Sequence, residues 1–151
     1  MSQPLETAVR RLRADDVEVL VHLEHVCRAA AGDYRGAAVL LEEVPPVHDW
    51  RTRIDDDEHP VWVATIDGVA AGYLAAEVGD GLVTVQQVFV HPGARELGLG
   101  DELLAAVLAA GREWGCRRLD GAALPGDRLT KNLYERAGIT ARKIIVSTQL
   151  D

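Results

Sequence analysis

Three features of the chain carry residue types that can do chemistry. The first is the run Arg95-Glu96-Leu97-Gly98-Leu99-Gly100, set between a β-like segment and a helical one. A glycine-bearing turn that leads straight into a helix leaves backbone N–H groups unpaired, and the helix dipole adds about half a positive charge there. Such a corner suits a phosphate or pyrophosphate, and glycine lets the backbone approach the anion closely. The run is neither a G-x-x-x-x-G-K-[ST] loop nor a G-x-G-x-x-G dinucleotide turn. On its own it also fits an ordinary strand-to-helix connection. Acids crowd it: Glu96, Asp101 and Glu102 favour the dipole but repel an anion, and only Arg95 offsets them locally.

The second feature is Tyr134. A phenol with an ordinary pKa of about 10 holds its proton at neutral pH yet can give it to a basic leaving group. The same residue also reads as a core-edge tyrosine on an amphipathic helix. The third is a set of polar side chains upstream: Gln86 and Gln87, Glu77 on the preceding segment, and His91. A glutamine can orient a substrate or hold a water but cannot act as a base, so Glu77 and His91 are the candidates for that role. His22 and His25 stand at i, i+3, but no third ligand follows at metal spacing, and no metal site is expected.

Positioning these groups takes a mixed set of elements. Thr7–Arg13 reads as an edge strand, and Asp15 with Glu18 as the capped start of a helix buried through Leu20, Leu23, Cys27 and Ala30. Ala31–Pro60 is irregular, with a helix over Ala37–Glu43 and a short one near Val47–Ile54. Val61–Ile66 and Val69–Val78 are strands joined by an Asp67-Gly68 hairpin turn. After Gly79-Asp80-Gly81 comes the central strand, Leu82–Val90, stopped by Pro92. Leu103, Val107, Ala110 and Trp114 define the next helix, with Gly115 as its stop. Arg118–Ala123 is a fifth strand. Asp127 caps a helix carrying Leu129, Leu133 and Ala137, ended by Gly138. Ala141–Leu150 closes the chain as a strand. This is an α/β chain: a mixed, mostly antiparallel sheet of six or seven strands flanked by about four helices.

The 151 residues hold no long linker, so one domain over 1–151 is expected. A net charge of −8 argues against nucleic acid as a partner. Cys27 and Cys116 read as free thiols and no leader segment is evident, which suits the cytoplasm. The longest apolar run is far short of the ~20 residues that span a bilayer, so no membrane partner is expected. The apolar closing strand and a free sheet edge are compatible with a homodimer.

Val90, Pro92, Arg95, Gly98 and Gly100 spell V-x-P…R-x-x-G-x-G, which resembles the acyl-CoA-binding motif of the GNAT N-acetyltransferase superfamily. Asn132-Leu133-Tyr134-Glu135-Arg136-Ala137-Gly138 resembles that family's later L-Y-E-K-x-G block, in the same order and spacing. The resemblance covers most of the chain. It implies transfer of an acetyl group from acetyl-CoA to an amine, without a metal. It implies a cofactor site of Val88, Phe89, Val90, Arg95, Glu96, Leu97, Gly98, Leu99, Gly100, Asp101, Asp127 and Tyr134. The pyrophosphate would sit on the Arg95–Gly100 backbone, and the pantetheine along a strand that ends or bulges at Val88–Val90. A backbone N–H near Val90 would take the oxyanion, and Tyr134 would be the general acid. The Ala31–Pro60 region would pack over the acceptor, a small-molecule or peptide amine. Two departures stand out. Gln86 and Gln87 lie where many members place a glutamate, leaving Glu77 as the catalytic candidate for a base. Asp127 replaces a frequent asparagine. The missing glutamate and the acids Glu96, Asp101 and Glu102 around the glycine loop keep open a second reading, an acyl-CoA-binding sensor or module of the same fold with little or no turnover.

Overall fold

The computed structural model describes residues 3–150. Five strands form one sheet in the order β1-β2-β3-β4-β5: β1 Thr7–Arg11, β2 Val61–Ile66, β3 Val69–Gly79, β4 Leu82–Val90 and β5 Arg118–Asp120. The first four are antiparallel neighbours, and β5 runs parallel to β4. The helices are α1 Val17–Ala31, α2 Ala37–Glu43, α3 Leu99–Glu113 and α4 Arg128–Arg136. A short 3-10 turn, Trp50–Arg53, stands within the expected Val47–Ile54 helix.

Both β2–β3 and β3–β4 are two-residue hairpins. Asp67-Gly68 and Asp80-Gly81 each have positive φ at both central positions, the primed-turn geometry that matches strand twist. Alternation along β2 and β3 then feeds two cores. Trp62, Leu74 and Ala76 face α3, whose Leu99, Leu103, Leu104 and Val107 fill one side with Tyr134 of α4. Val61, Val63, Tyr73 and Ala75 face α1, where Leu20, Leu23 and Trp50 fill the other. Both faces are covered, so β2 carries almost no polar position.

Four sequence expectations are corrected. Residues 141–150 form no strand: Ile144, Val146 and Leu150 lie 88%, 90% and 92% exposed, because a β pattern becomes a strand only where a neighbouring edge receives its backbone. The sheet therefore has five strands, with β3 rather than β4 at its centre. The strand expected over Arg118–Ala123 is only three residues long. At the start of the chain, β1 ends at Arg11, and Asp16, not Asp15, organises the turn before α1. Its carboxylate accepts the Arg13 N–H at 2.8 Å and two guanidinium bonds from Arg10 at 2.8 and 3.0 Å. Burial alone would raise the Asp16 pKa, but the bonds from Arg10 and the Arg13 N–H outweigh it and hold the carboxyl below its usual range.

Candidate active site

Valines mark a break in the alternation of β4. Val83 and Val85 face α3, and three positions after Val85 the pair Val88 and Val90 does so again, which requires one extra residue between them. The structure supplies it as a bulge: Ala75 pairs with Gln87 and Ala76 with Val85, leaving Gln86 opposite nothing. The bulge thus lies at Gln86, before the expected Val88–Val90. On the other side β5 pairs with β4 only from Leu82 to Thr84. Beyond Thr84 the two strands part, and the β4 edge is bare.

Which groups that edge offers follows from the ladder. The His91 N–H donates to Ala71 O at 2.8 Å, toward β3. Backbone groups alternate in an antiparallel pair, so the N–H and C=O of Val88 and Val90 point the other way, into the gap. Gly72, opposite Val90, holds β3 close; a Cβ there would lie 2.8 Å from Phe89 O.

The gap opens into a cavity of about 950 Å³. Gln86–Val90 form one wall and Ala122–Leu124 the other. Cys27, Arg28 and residues of α2 close the top, and the start of α3 closes one end. Arg28 ties this roof together by donating to Leu41 O and Val44 O of the α2 segment. Of the sequence-selected cofactor residues, the cavity is lined by Val88, Phe89, Val90, Arg95, Glu96, Gly98, Leu99, Gly100, Asp101, Asp127 and Tyr134. Leu97 is 41% exposed and lies outside the lining.

At the α3 end, Gly98 is the N-cap with φ 76°, and Leu99 and Gly100 already belong to the helix. Glu96 also has a positive φ, 74°, which costs an L residue about 1–2 kcal/mol. No side chain caps the helix, and among the described residues the N–H groups of Gly98, Leu99, Gly100 and Asp101 find no acceptor. Consecutive orphan donors around two left-handed residues make an anion nest. A Cβ on Gly98 would meet nothing within 4 Å, so the approach is open, whereas one on Gly100 would meet Leu133 at 3.0 Å. The acidity of this corner is offset by more than Arg95: Arg136 of α4 donates from Nε to Asp101 Oδ1 at 3.0 Å.

Tyr134 comes from α4, whose N-cap Asp127 accepts the Thr130 N–H at 3.1 Å and its hydroxyl at 2.7 Å. Each oxygen of that carboxylate thus accepts one bond from Thr130. Tyr134 is 7% exposed, and its hydroxyl lies against the backbone of Gly121; an added Cβ there would fall 2.5 Å from the oxygen. Only glycine leaves room for the phenol at the inner end of the second wall. Burial pushes the Tyr134 pKa well above its usual value, and the nearby Asp127 charge adds to the rise, so the phenol keeps its proton across the neutral range.

The remaining polar groups divide between the two sides of β4. Gln86 donates to Glu77 Oε2 at 3.2 Å; Glu77 itself is exposed and outside the cavity lining, one hydrogen bond behind the bulge. His91 is exposed, and its Nδ1 accepts the Gly93 N–H. On the other side, Gln87 donates to Glu24 Oε2 at 2.7 Å and accepts from the Tyr73 hydroxyl at 2.6 Å. Glu24, 5% exposed on α1, also accepts the Val47 N–H at 3.1 Å. Sequence reasoning passed over this carboxylate. Its signal was a charge at Leu20 plus four, inside an otherwise apolar stripe. Arg136 was equally missed, since only the α3–α4 packing brings it to Asp101.

A model of the acetyltransferase (GNAT) family matches residues 20–139. The aminoglycoside N(6')-acetyltransferase type 1 of Salmonella enteritidis is 24% identical over 141 residues, which cover 83% of this chain and 90% of that protein. Among solved structures, aminoglycoside N-acetyltransferase AAC(6')-Iy in complex with CoA aligns with a TM-score of 0.66 at 20% identity, over 99% of this chain and 98% of that one. An aminoglycoside acetyltransferase from an uncultured soil metagenomic sample, in complex with sisomicin, aligns with a TM-score of 0.70 at 16% identity, over 96% and 95% of the two chains. At these identities the structural likeness carries the fold.

Proposed function

Because the chain belongs to the acetyltransferase (GNAT) family, whose co-substrate is acetyl-CoA, we propose that it acetylates a primary amine of a cationic small molecule, of the aminoglycoside type, by direct attack. The observation that carries this reading is the parting of β4 from β5 beyond Thr84, with the Tyr134 hydroxyl at its inner end. An extended pantetheine arm pairs its amides with the free groups of Val88 and Val90 as an added strand. The pyrophosphate takes the orphan N–H groups of Gly98–Asp101.

The amine lone pair attacks the thioester carbonyl. The developing oxyanion is met by the Val90 N–H. As the C–S bond breaks, Tyr134 gives its proton to the thiolate and then recovers one from solvent. The raised pKa keeps the phenol in its donating form until that moment. The proton lost by the attacking nitrogen passes by water to Glu77, whose carboxylate stands behind Gln86. Asp33, Glu96 and Asp127, all in the cavity lining, favour an acceptor with several ammonium groups.

The test is calorimetric titration with acetyl-CoA, using CoA and ATP as controls, followed by CoA release with sisomicin as acceptor. Micromolar binding of both thioester and thiol forms, without ATP binding, and turnover with the aminoglycoside are expected. A Kd weaker than ~1 mM for acetyl-CoA removes the reading. The second reading, an acyl-CoA-binding module, is favoured by one observation: no carboxylate lining the cavity comes from β4, whose bulge carries Gln86 and Gln87. Tight acetyl-CoA binding with no turnover on any amine selects it.

A further inference from the structure

Acetyl transfer leaves one set of buried polar groups without a task. Glu24, 5% exposed, comes from α1, Tyr73, fully buried, from β3, and Gln87 from β4 directly after the bulge. They meet around the Gln87 amide. Its Nε2 donates to Glu24 Oε2 at 2.7 Å, and the Tyr73 hydroxyl donates to its Oε1 at 2.6 Å. An ionised carboxylate only accepts, so turning the amide over would set two oxygens face to face at the Glu24 contact. The charge-assisted bond makes that the firmer restraint. Burial pushes the Tyr73 phenol well above its ordinary range, and the Cys27 thiol adds to the rise, so the hydroxyl keeps the proton it donates. Glu24 is steadied in turn by the Val47 N–H at 3.1 Å.

An amide nitrogen carries two hydrogens, and Glu24 takes one of them. Among the described residues the other meets no acceptor. Gln87 lines the cavity, one residue further along β4 from the glycine corner than Val88. The pantetheine arm takes the stretch between that corner and Val88, so Gln87 stands past its thioester end, where the amine arrives. The free N–H suits an oxygen lone pair. It is mismatched to an ammonium, which brings only donors. Carboxylates of the cavity lining, Asp33 and Asp127 among them, suit the ammonium groups instead.

We propose that Gln87 orients the acceptor: its free Nε2–H binds a hydroxyl or ether oxygen near the reacting amine, and Glu24 and Tyr73 are positioning residues that hold the amide with this donor toward the cavity. The subsite rests on the amine-acceptor reading above and adds a requirement to it, an oxygen beside the nitrogen. A glutamate at 87 would repel Glu24 across the same contact, so the pair needs an amide on one side.

The experiment uses the CoA-loaded full chain with sisomicin as the probe. In ¹⁵N NMR spectra the Gln87 side-chain amide pair is the signal lost in Gln87→Leu. On adding sisomicin, the proton bonded to Glu24 is expected to stay and the other to move. Calorimetry then compares two changes at Glu24. Glu24→Leu releases the amide and should weaken sisomicin binding about five- to tenfold. Glu24→Gln keeps an acceptor oxygen in place and should stay within about twofold of wild type, and CoA affinity should hold within about twofold in both. Bound sisomicin with both Gln87 protons unmoved overturns the inference, as does a loss in Glu24→Gln equal to that in Glu24→Leu, which would show that charge alone acts. If Glu24→Leu fails to fold, the amide spectrum of the wild type decides. A wild type that binds CoA but no sisomicin removes the acceptor reading and the subsite together, whereas a silent amide in the sisomicin complex removes the subsite alone.

Discussion

The two edges of β4 are built for opposite ends. Toward β3 the ladder runs from Gly79↔Leu82 to Gly72↔Val90, interrupted only by the bulge, and the side chains beside it are buried on both faces. Toward β5 it stops after three residues. One strand therefore serves as structure on one side and as an unfilled ladder on the other. Its two neighbouring tyrosines repeat the contrast. Tyr73 is fully buried and spends its hydroxyl on Gln87. Tyr134 is nearly as buried, yet its hydroxyl lies against a glycine backbone at the cleft. The lesson is that a binding site of this kind is made by leaving hydrogen-bonding capacity unspent at one seam while the other seam supplies stability.

Substitutions at the two seams should separate accordingly. Tyr134→Phe is expected to cost about 10²–10⁴-fold in kcat, with acetyl-CoA affinity within twofold of wild type; steady-state rates and calorimetry read the two quantities apart. Equal losses in both would place Tyr134 with structure, and the contrast would fail. Leu74→Ala, in the closed seam, is expected to lose about 2–5 kcal/mol in denaturant unfolding while leaving acetyl-CoA affinity near wild type in the remaining folded protein.

Smaller is the effect of Asp16, which lies far from the cleft. Its folded-state pKa is depressed, so its contribution is complete above the ordinary carboxylate range near 4 and is lost as pH falls through the lower folded value. Asp16→Asn should cost about 1–3 kcal/mol at pH 7 and flatten the acid limb of the stability curve. An unchanged acid limb would show that the Arg10 pair does not set it. The least effects belong to the open seam's anion corner. Arg136→Ala uncovers the Asp101 charge and should weaken CoA binding about two- to fivefold at low salt, whereas Glu96→Gln should tighten it by a similar factor. Both shifts should shrink as salt is added; salt-independent shifts would mean that charge is not their cause.

Much of this was legible before any coordinates. Asp67-Gly68 and the Gly79–Gly81 turn announced their hairpins because only residues tolerant of positive φ fit there. The Asp127 cap and the Gly115 and Gly138 stops followed from backbone chemistry alone. The break in valine alternation across Gln86 and Gln87 encoded the bulge, though its place was misjudged by two residues. What stayed hidden were meetings between distant segments: Glu24 with Gln87, Arg136 with Asp101, Gly121 with Tyr134. Local pattern carries no information on which surface a side chain will face across a fold.

The sequence by itself determined the elements, their turns and caps, and the run of glycines that leaves helix α3 with unpaired donors, because these depend on φ, ψ and hydrogen bonds within a few residues. Only the tertiary structure decided that β4 parts from β5 after Thr84, that the Tyr134 phenol is buried against Gly121, and that residues 141–150 stay unpaired within one chain. A strand pattern states that a segment needs an edge; whether an edge is there depends on where every other strand has gone.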